Sequence, residues 1–194
     1  MVPNFGKHEM FEHFCVYDKI IVTGPQRCGT RIATKMIAVD LGYKFFSELL
    51  VAVDNFGKLR WLLRNESHFV VQCPALSHRV HELDGDDFLI VFMRRAVDDV
   101  LASERRIRWS GRGEQRKYEG FARFYDVGDP ICVRKTRVWD RFQKGMIRHA
   151  LDLEYRLLTG HPLWVPKANR RLFRPGQIDD QETEASSDGL SDAV

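Results

Sequence analysis

Ile20-Ile-Val-Thr-Gly-Pro-Gln-Arg-Cys-Gly-Thr-Arg31 decides the fold. Ile20 to Thr23 is apolar or β-branched on consecutive residues, the pattern of a parallel strand buried on both faces. Gly24 and Gly29 then bound a short turn. From Thr30 to Leu41 the apolar residues Ile32, Ala33, Met36, Ile37 and Leu41 share one helical face, and Gly42 supplies the stop. A strand, a glycine-bounded turn and a helix in this order cradle phosphate, because backbone N–H groups and the positive end of the helix converge on the turn. Gly24 allows the sharp turn and Gly29 a close backbone approach. Arg27 can pair with phosphate oxygens bidentately, and Thr30 adds a hydroxyl. The predicted anion site therefore comprises Gly24, Pro25, Gln26, Arg27, Cys28, Gly29, Thr30 and Arg31.

The two glycines have the spacing of a Walker A loop, but Thr30 and Arg31 stand where that motif carries Lys and Ser or Thr. Lys35 lies too far along the helix to take the lysine's place. Outward from the loop, Tyr43 to Phe46 reads as a second strand ending at Ser47 and Glu48. Trp61 to Leu63 belongs to a helix, Phe69 to Gln72 to a third strand, and Pro74 to Leu83 to a short helix. Phe88 to Met93 is the clearest central strand, and Val97 to Ile107 is a helix with Asp98 and Asp99 in its first turn, where the helix dipole favours anions. Trp139 to Leu158 reads as one long amphipathic helix. Strands alternating with helices predict an α/β fold of three layers, a central parallel sheet flanked by helices.

The chain has 194 residues, 44% of them apolar, enough for one sizeable core. Its net charge of +3 is unevenly spread. Gln177 to Val194 holds six acidic residues and no basic one, and reads as a disordered acidic tail. The rest carries 30 basic against 21 acidic residues, +9, which favours polyanionic ligands. The predicted organisation is a single domain over residues 1–176, with an arginine-rich, lid-like region at about 104–130, followed by the tail at 177–194. No stretch is long and apolar enough to span a membrane, and Met1 to Tyr17 does not resemble a signal peptide. Cys15, Cys28, Cys73 and Cys132 lack paired metal-ligand spacing and read as buried thiols of a reducing compartment, so a cytoplasmic location is expected.

Phe88-Leu-Ile-Val-Phe-Met-Arg-Arg-Ala-Val-Asp-Asp-Val-Leu-Ala-Ser103 is the second informative segment. A central strand emerges at Arg94 and Arg95, at the strand end where open α/β sheets bind ligands. Arg95 and Ser103 can reach one ligand if the following helix runs alongside it, with Asp99 orienting Arg95. Together the two segments resemble the sulfotransferase branch of P-loop proteins, whose loop reads Pro-Lys/Arg-Ser-Gly-Thr-Thr. Gln26 to Arg31 looks like that loop, with Arg27 at its cationic position and Cys28 and Arg31 as departures. Arg95, Asp99 and Ser103 match the family's spacing of an Arg, an Asp four residues on and a Ser eight residues on. The resemblance covers about residues 20–103. It implies a 3′-phosphoadenosine 5′-phosphosulfate donor, with Arg95 and Ser103 on the donor's 3′-phosphate, and transfer of a sulfuryl group to an acceptor hydroxyl without a metal.

Many members of that family carry a His near the end of a middle strand, shortly before a Pro. Here Gln72 stands in that place ahead of Pro74. Glu48 is the first candidate base, and His78, with His81 three residues on, the next. The predicted catalytic residues are Arg27, Glu48 and His78. Two other functions fit the residues. One is an ATP- and Mg²⁺-dependent kinase phosphorylating a nucleotide or a hydroxylated base in DNA, for which Thr30 with Asp98 or Asp99 would hold the metal. The other is a non-catalytic nucleic-acid-binding protein, with Trp109, Tyr118, Phe121, Phe124 and Tyr125 as stacking platforms among Arg108, Arg112, Arg116 and Lys117.

Overall fold

A computed structural model of the chain describes residues 10–48, 56–83, 85–107 and 129–165. Met1–Leu163 forms one compact unit and Trp164–Val194 a second. Most of the expected lid-like region, with its aromatic and basic residues from Arg108 to Tyr125, and the acidic tail lie outside the described residues.

Five strands, β1 (Lys19–Thr23), β2 (Lys44–Phe46), β3 (Phe69–Gln72), β4 (Phe88–Arg94) and β5 (Ala150–Glu154), form one sheet in the order β2-β3-β1-β4-β5. Every neighbouring pair is parallel. The three innermost strands are buried almost throughout, which explains why they read as continuous apolar runs rather than alternating ones. The helices are α1 (Thr30–Leu41), α2 (Phe56–Asn65), α3 (Val97–Arg106) and α4 (Ile131–Met146).

Alternate strand residues point to opposite faces, so one sheet feeds two cores. On one face Ile21, Phe69, Val71, Ile90 and Phe92 pack with Phe56, Leu59 and Leu62 of α2, with Leu76 and Val80, and with Trp139 of α4. The Phe92 and Trp139 rings stack at 4.6 Å. Helix α1, with Ala33, Met36 and Ile37 buried, packs on β1, β2 and β3 and against the 3-10 turn Glu12–Val16. The expected three-layer fold, a parallel sheet flanked by helices, is thus the one observed. A buried polar link closes the α1 side. Leu163 N–H donates to His161 Nδ1 (3.1 Å), so His161 Nε2 carries its proton and donates to Asp40 Oδ1 at 2.9 Å. Phe11 N–H donates to the other Asp40 oxygen at 3.2 Å.

Three sequence readings are corrected. Cys15, read as a buried thiol, is exposed on the 3-10 turn Glu12–Val16. Trp139 to Leu158 is not one helix: α4 ends at Met146, Ala150–Glu154 is the edge strand β5, and Tyr155–Gly160 is a 3-10 turn. Leu151 and Leu153 alternate with the exposed Asp152 and Glu154, a period of two that a helical reading of the flanking leucines obscured. Pro74 to Leu83 is also not a helix but two 3-10 turns, Pro74–Leu76 and Val80–Glu82. Each is too short to continue the i to i+4 ladder that would put His78 and His81 on one face.

Candidate functional site

Parallel pairing brings the carboxyl ends of all five strands to one edge, where several of the predicted site residues lie beside Gln72 and Tyr155. Gly24 to Gly29 leaves β1 in the middle of the sheet; Glu48 follows β2, Gln72 ends β3, Arg95 follows β4 and Tyr155 follows β5. Register fixes the neighbours. Val22 pairs with Gln72, Cys73 N–H donates to Val22 O (2.8 Å), and Thr23 Oγ1 donates to Cys73 O (2.8 Å).

The loop is held in a backbone form that few residues adopt. Gly24, Arg27 and Gly29 all have positive φ, at 124°, 66° and 91°. A Cβ on Gly24 would stand 2.8 Å from the Met93 carbonyl oxygen, and one on Gly29 2.5 Å from the Tyr155 ring. Glycine is required at both. Arg27 is not a glycine, so its left-handed conformation costs about 1–2 kcal/mol and has to be imposed by neighbours. Arg95 does so, donating from Nη1 to the Arg27 carbonyl at 2.9 Å. The α1 helix begins directly at Thr30, with Gly29 as its cap and no side-chain cap bond. Its first N–H groups therefore face the loop, as an anion site requires.

Two groups of predicted residues assemble here. In the first, Arg27 Nε donates to Ser103 Oγ at 3.2 Å, and Arg95 lies between Asp99 (3.8 Å) and the Tyr155 ring, 4.3 Å from its centroid. Arg95 Nε is buried and hydrogen-bonds to no described residue. Arg27, Arg95 and Ser103, far apart in sequence, thus meet beside the loop. In the second, the Gln72 amide Nε2 donates to Thr30 Oγ1 at 3.4 Å and to Glu48 Oε2 at 3.2 Å. Gln72, read as the gap left by a missing His, instead joins the loop hydroxyl to the carboxylate.

The remaining candidates are placed differently. Arg31 is exposed on the first turn of α1. Asp98 and Asp99 are exposed on α3, and Asp99 pairs with Arg95. Lys35 lies over the Phe45 ring at 5.5 Å. Cys28 is buried, and burial, with Cys132 beside it, pushes its thiol up to about 12, so it stays protonated and packs the loop. His78 is buried as well. Burial first, then the charges of Lys135 and Arg79, drive it down to about 3, too weak to collect a proton near neutral pH. His81 stacks on Phe142 at 4.1 Å. Among the described residues no cluster of three or more His, Cys, Asp or Glu has a metal-binding arrangement.

Sequence reasoning missed Lys135. It is fully buried on α4, and its Nζ donates to Gln26 Oε1 in the loop (2.5 Å) and to the Pro74 carbonyl (3.0 Å). The signal was present: Cys132, Lys135, Val138 and Trp139 fall on one helical face, and all but the lysine are apolar. A lysine on the core stripe of a helix is buried, and buried ammonium groups have a partner.

No protein-family model and no curated protein sequence matches the chain. Among solved structures it is similar to the shikimate kinase from Acinetobacter baumannii in complex with shikimate. Identity is 12% over 77% of this chain and 92% of that chain, with a TM-score of 0.44. So distant a likeness carries no functional weight, and the fold class rests on the sheet order and the loop themselves.

Proposed function

We propose that the chain is a nucleotide-dependent transferase that moves the terminal phosphoryl group of ATP to an acceptor hydroxyl. The observation that carries this reading is the Thr30–Gln72–Glu48 arrangement at the mouth of the loop. Phosphoryl transfer wants Mg²⁺ held by a loop hydroxyl and a carboxylate. Thr30 and Glu48 provide that pair of hard oxygen ligands, linked through one amide, and the donor set fits Mg²⁺ better than it fits a softer metal. Bound there with ATP, the ion would neutralise charge on the β- and γ-phosphates. The chain's own part is positioning. The loop N–H groups and the α1 N-terminus take the phosphates, Arg27 adds a guanidinium, and Gln72 fixes the orientation of Thr30 and Glu48.

A second reading, sulfuryl transfer from 3′-phosphoadenosine 5′-phosphosulfate, is favoured by the other group. Arg95, whose buried Nε hydrogen-bonds to no described residue and faces Asp99 at 3.8 Å, and Ser103 would together hold an anion beside the loop. In that case Glu48 is the base that takes the acceptor's proton. Calorimetric titration of both nucleotides, with and without Mg²⁺, separates the two. Binding of ATP that requires Mg²⁺ and weakens at least about tenfold in Glu48→Gln supports phosphoryl transfer. Metal-independent binding of the 3′-phosphorylated donor, lost in Arg95→Ala and Ser103→Ala but kept in Glu48→Gln, supports sulfuryl transfer. Binding of neither nucleotide refutes both. With the donor known, nucleosides and DNA carrying a hydroxylated base are the acceptors to assay first, because the +9 charge outside the tail suits polyanions.

A further inference from the structure

We propose that Lys135 takes the place of the lysine absent from the loop, reaching the donor's phosphates from α4, and that Gln26 Oε1 stands in for a phosphate oxygen until the donor arrives. This rests on the reading that the loop holds nucleotide phosphates. Taking an ammonium wholly out of water costs several kcal/mol, and apolar residues of similar volume usually serve stability as well or better. A chain that buries one at 0% exposure directly beside a phosphate loop therefore gains something other than packing. The contacts say where the charge is directed. Nζ bonds Gln26 inside the glycine-bounded turn and the Pro74 carbonyl just past β3, so it sits between the loop and the strand that supplies Gln72.

Among the described residues the other cations by the loop are directed differently, and Arg27 would have to leave Ser103 to reach a phosphate. Arg27 points to Ser103, Arg95 to the Arg27 carbonyl, and Lys35 to the Phe45 ring, while Arg31 faces solvent. The field of Lys135 is also felt by its neighbours, lowering the proton affinity of His78. An amide oxygen is a weaker partner for an ammonium than a phosphate oxygen is. Donor binding would exchange the neutral amide oxygen of Gln26 for an anionic phosphate oxygen, with no change of fold.

The test uses the full chain, with inorganic tripolyphosphate and Mg·ATP as probes, in calorimetry and thermal melts. Lys135→Met is expected to fold but to melt lower than wild type without ligand, because an apolar side chain of similar length fills the space while the Gln26 oxygen and the Pro74 carbonyl lose their donor. It should bind both probes roughly 100-fold more weakly, with Lys135→Arg between the two. Lys135→Met binding within about threefold of wild type would overturn the proposal while leaving the loop reading intact. Should that variant fail to fold, Gln26→Ala decides. Removing the competing oxygen is expected to leave tripolyphosphate binding unchanged or tighter, and a tenfold loss would overturn the proposal. Wild-type protein that binds neither probe would overturn the loop reading itself, and this inference with it.

Discussion

Replacing Gly29 by Ala tests how the loop is locked to the far edge of the sheet. At φ +91° an L-residue costs about 1–2 kcal/mol relative to glycine. The new Cβ would stand 2.5 Å from Tyr155 Cδ2 and 2.7 Å from Cε2, closer than carbon atoms approach. The ring is not free to swing away, because the Arg95 guanidinium lies 4.3 Å from its centroid and is itself bonded to the Arg27 carbonyl. Overpacking of this kind costs about 1–3 kcal/mol. Gly29→Ala is therefore expected to lose about 2–5 kcal/mol in equilibrium urea denaturation. A double-mutant cycle with Tyr155→Ala divides the loss. It removes the clash and leaves the backbone term, so a coupling of about 1–3 kcal/mol should appear beside a residual of about 1–2. The coupling term is specific to a Cβ–ring contact. A total loss below about 0.5 kcal/mol, or a coupling indistinguishable from zero, would refute the packing of Tyr155 on the loop.

Two further outcomes follow from the buried groups. In the unfolded chain His78 takes a proton near pH 6.5, while in the fold burial, Lys135 and Arg79 hold it at about 3. Its contribution is complete above pH 6.5 and is lost as pH falls toward 3, amounting to about 2 kcal/mol by pH 5. His78→Gln should flatten the stability–pH profile across that window, and an unchanged slope would show that the imidazole is not held neutral. Thiol titration is expected to find one reactive cysteine in the native protein, the exposed Cys15, and four in denaturant. A second fast thiol mapped to Cys28 would mean that the loop opens in solution.

Local pattern was sufficient for most of the frame. The β1–loop–α1 unit was legible because each of its signals is written within about one turn of chain: a continuous apolar run, two glycines, a helical face and the glycine stop. β3, β4 and α3 were legible for the same reason. β5 was not, because as an edge strand it buries chiefly Leu153, and two leucines spaced by two carry little against a neighbouring helix with a strong face.

The site divides along the same line. The sequence by itself determined a strand, a glycine-bounded turn that holds Arg27 and a helix, and it placed Ser103 on the helix that Arg95 precedes, since each depends on residues close in the chain. Only the tertiary structure decided what those residues touch. Parallel pairing of β3 with β1 put Gln72 between Thr30 and Glu48, and the return of α4 carried Lys135 under Gln26. Burial, which no local window measures, removed His78 from acid–base work by withdrawing the water that would stabilise its charged form. Spacing along the chain names the residues that can meet a ligand, and the strand register and the dielectric around them settle which ones do chemistry.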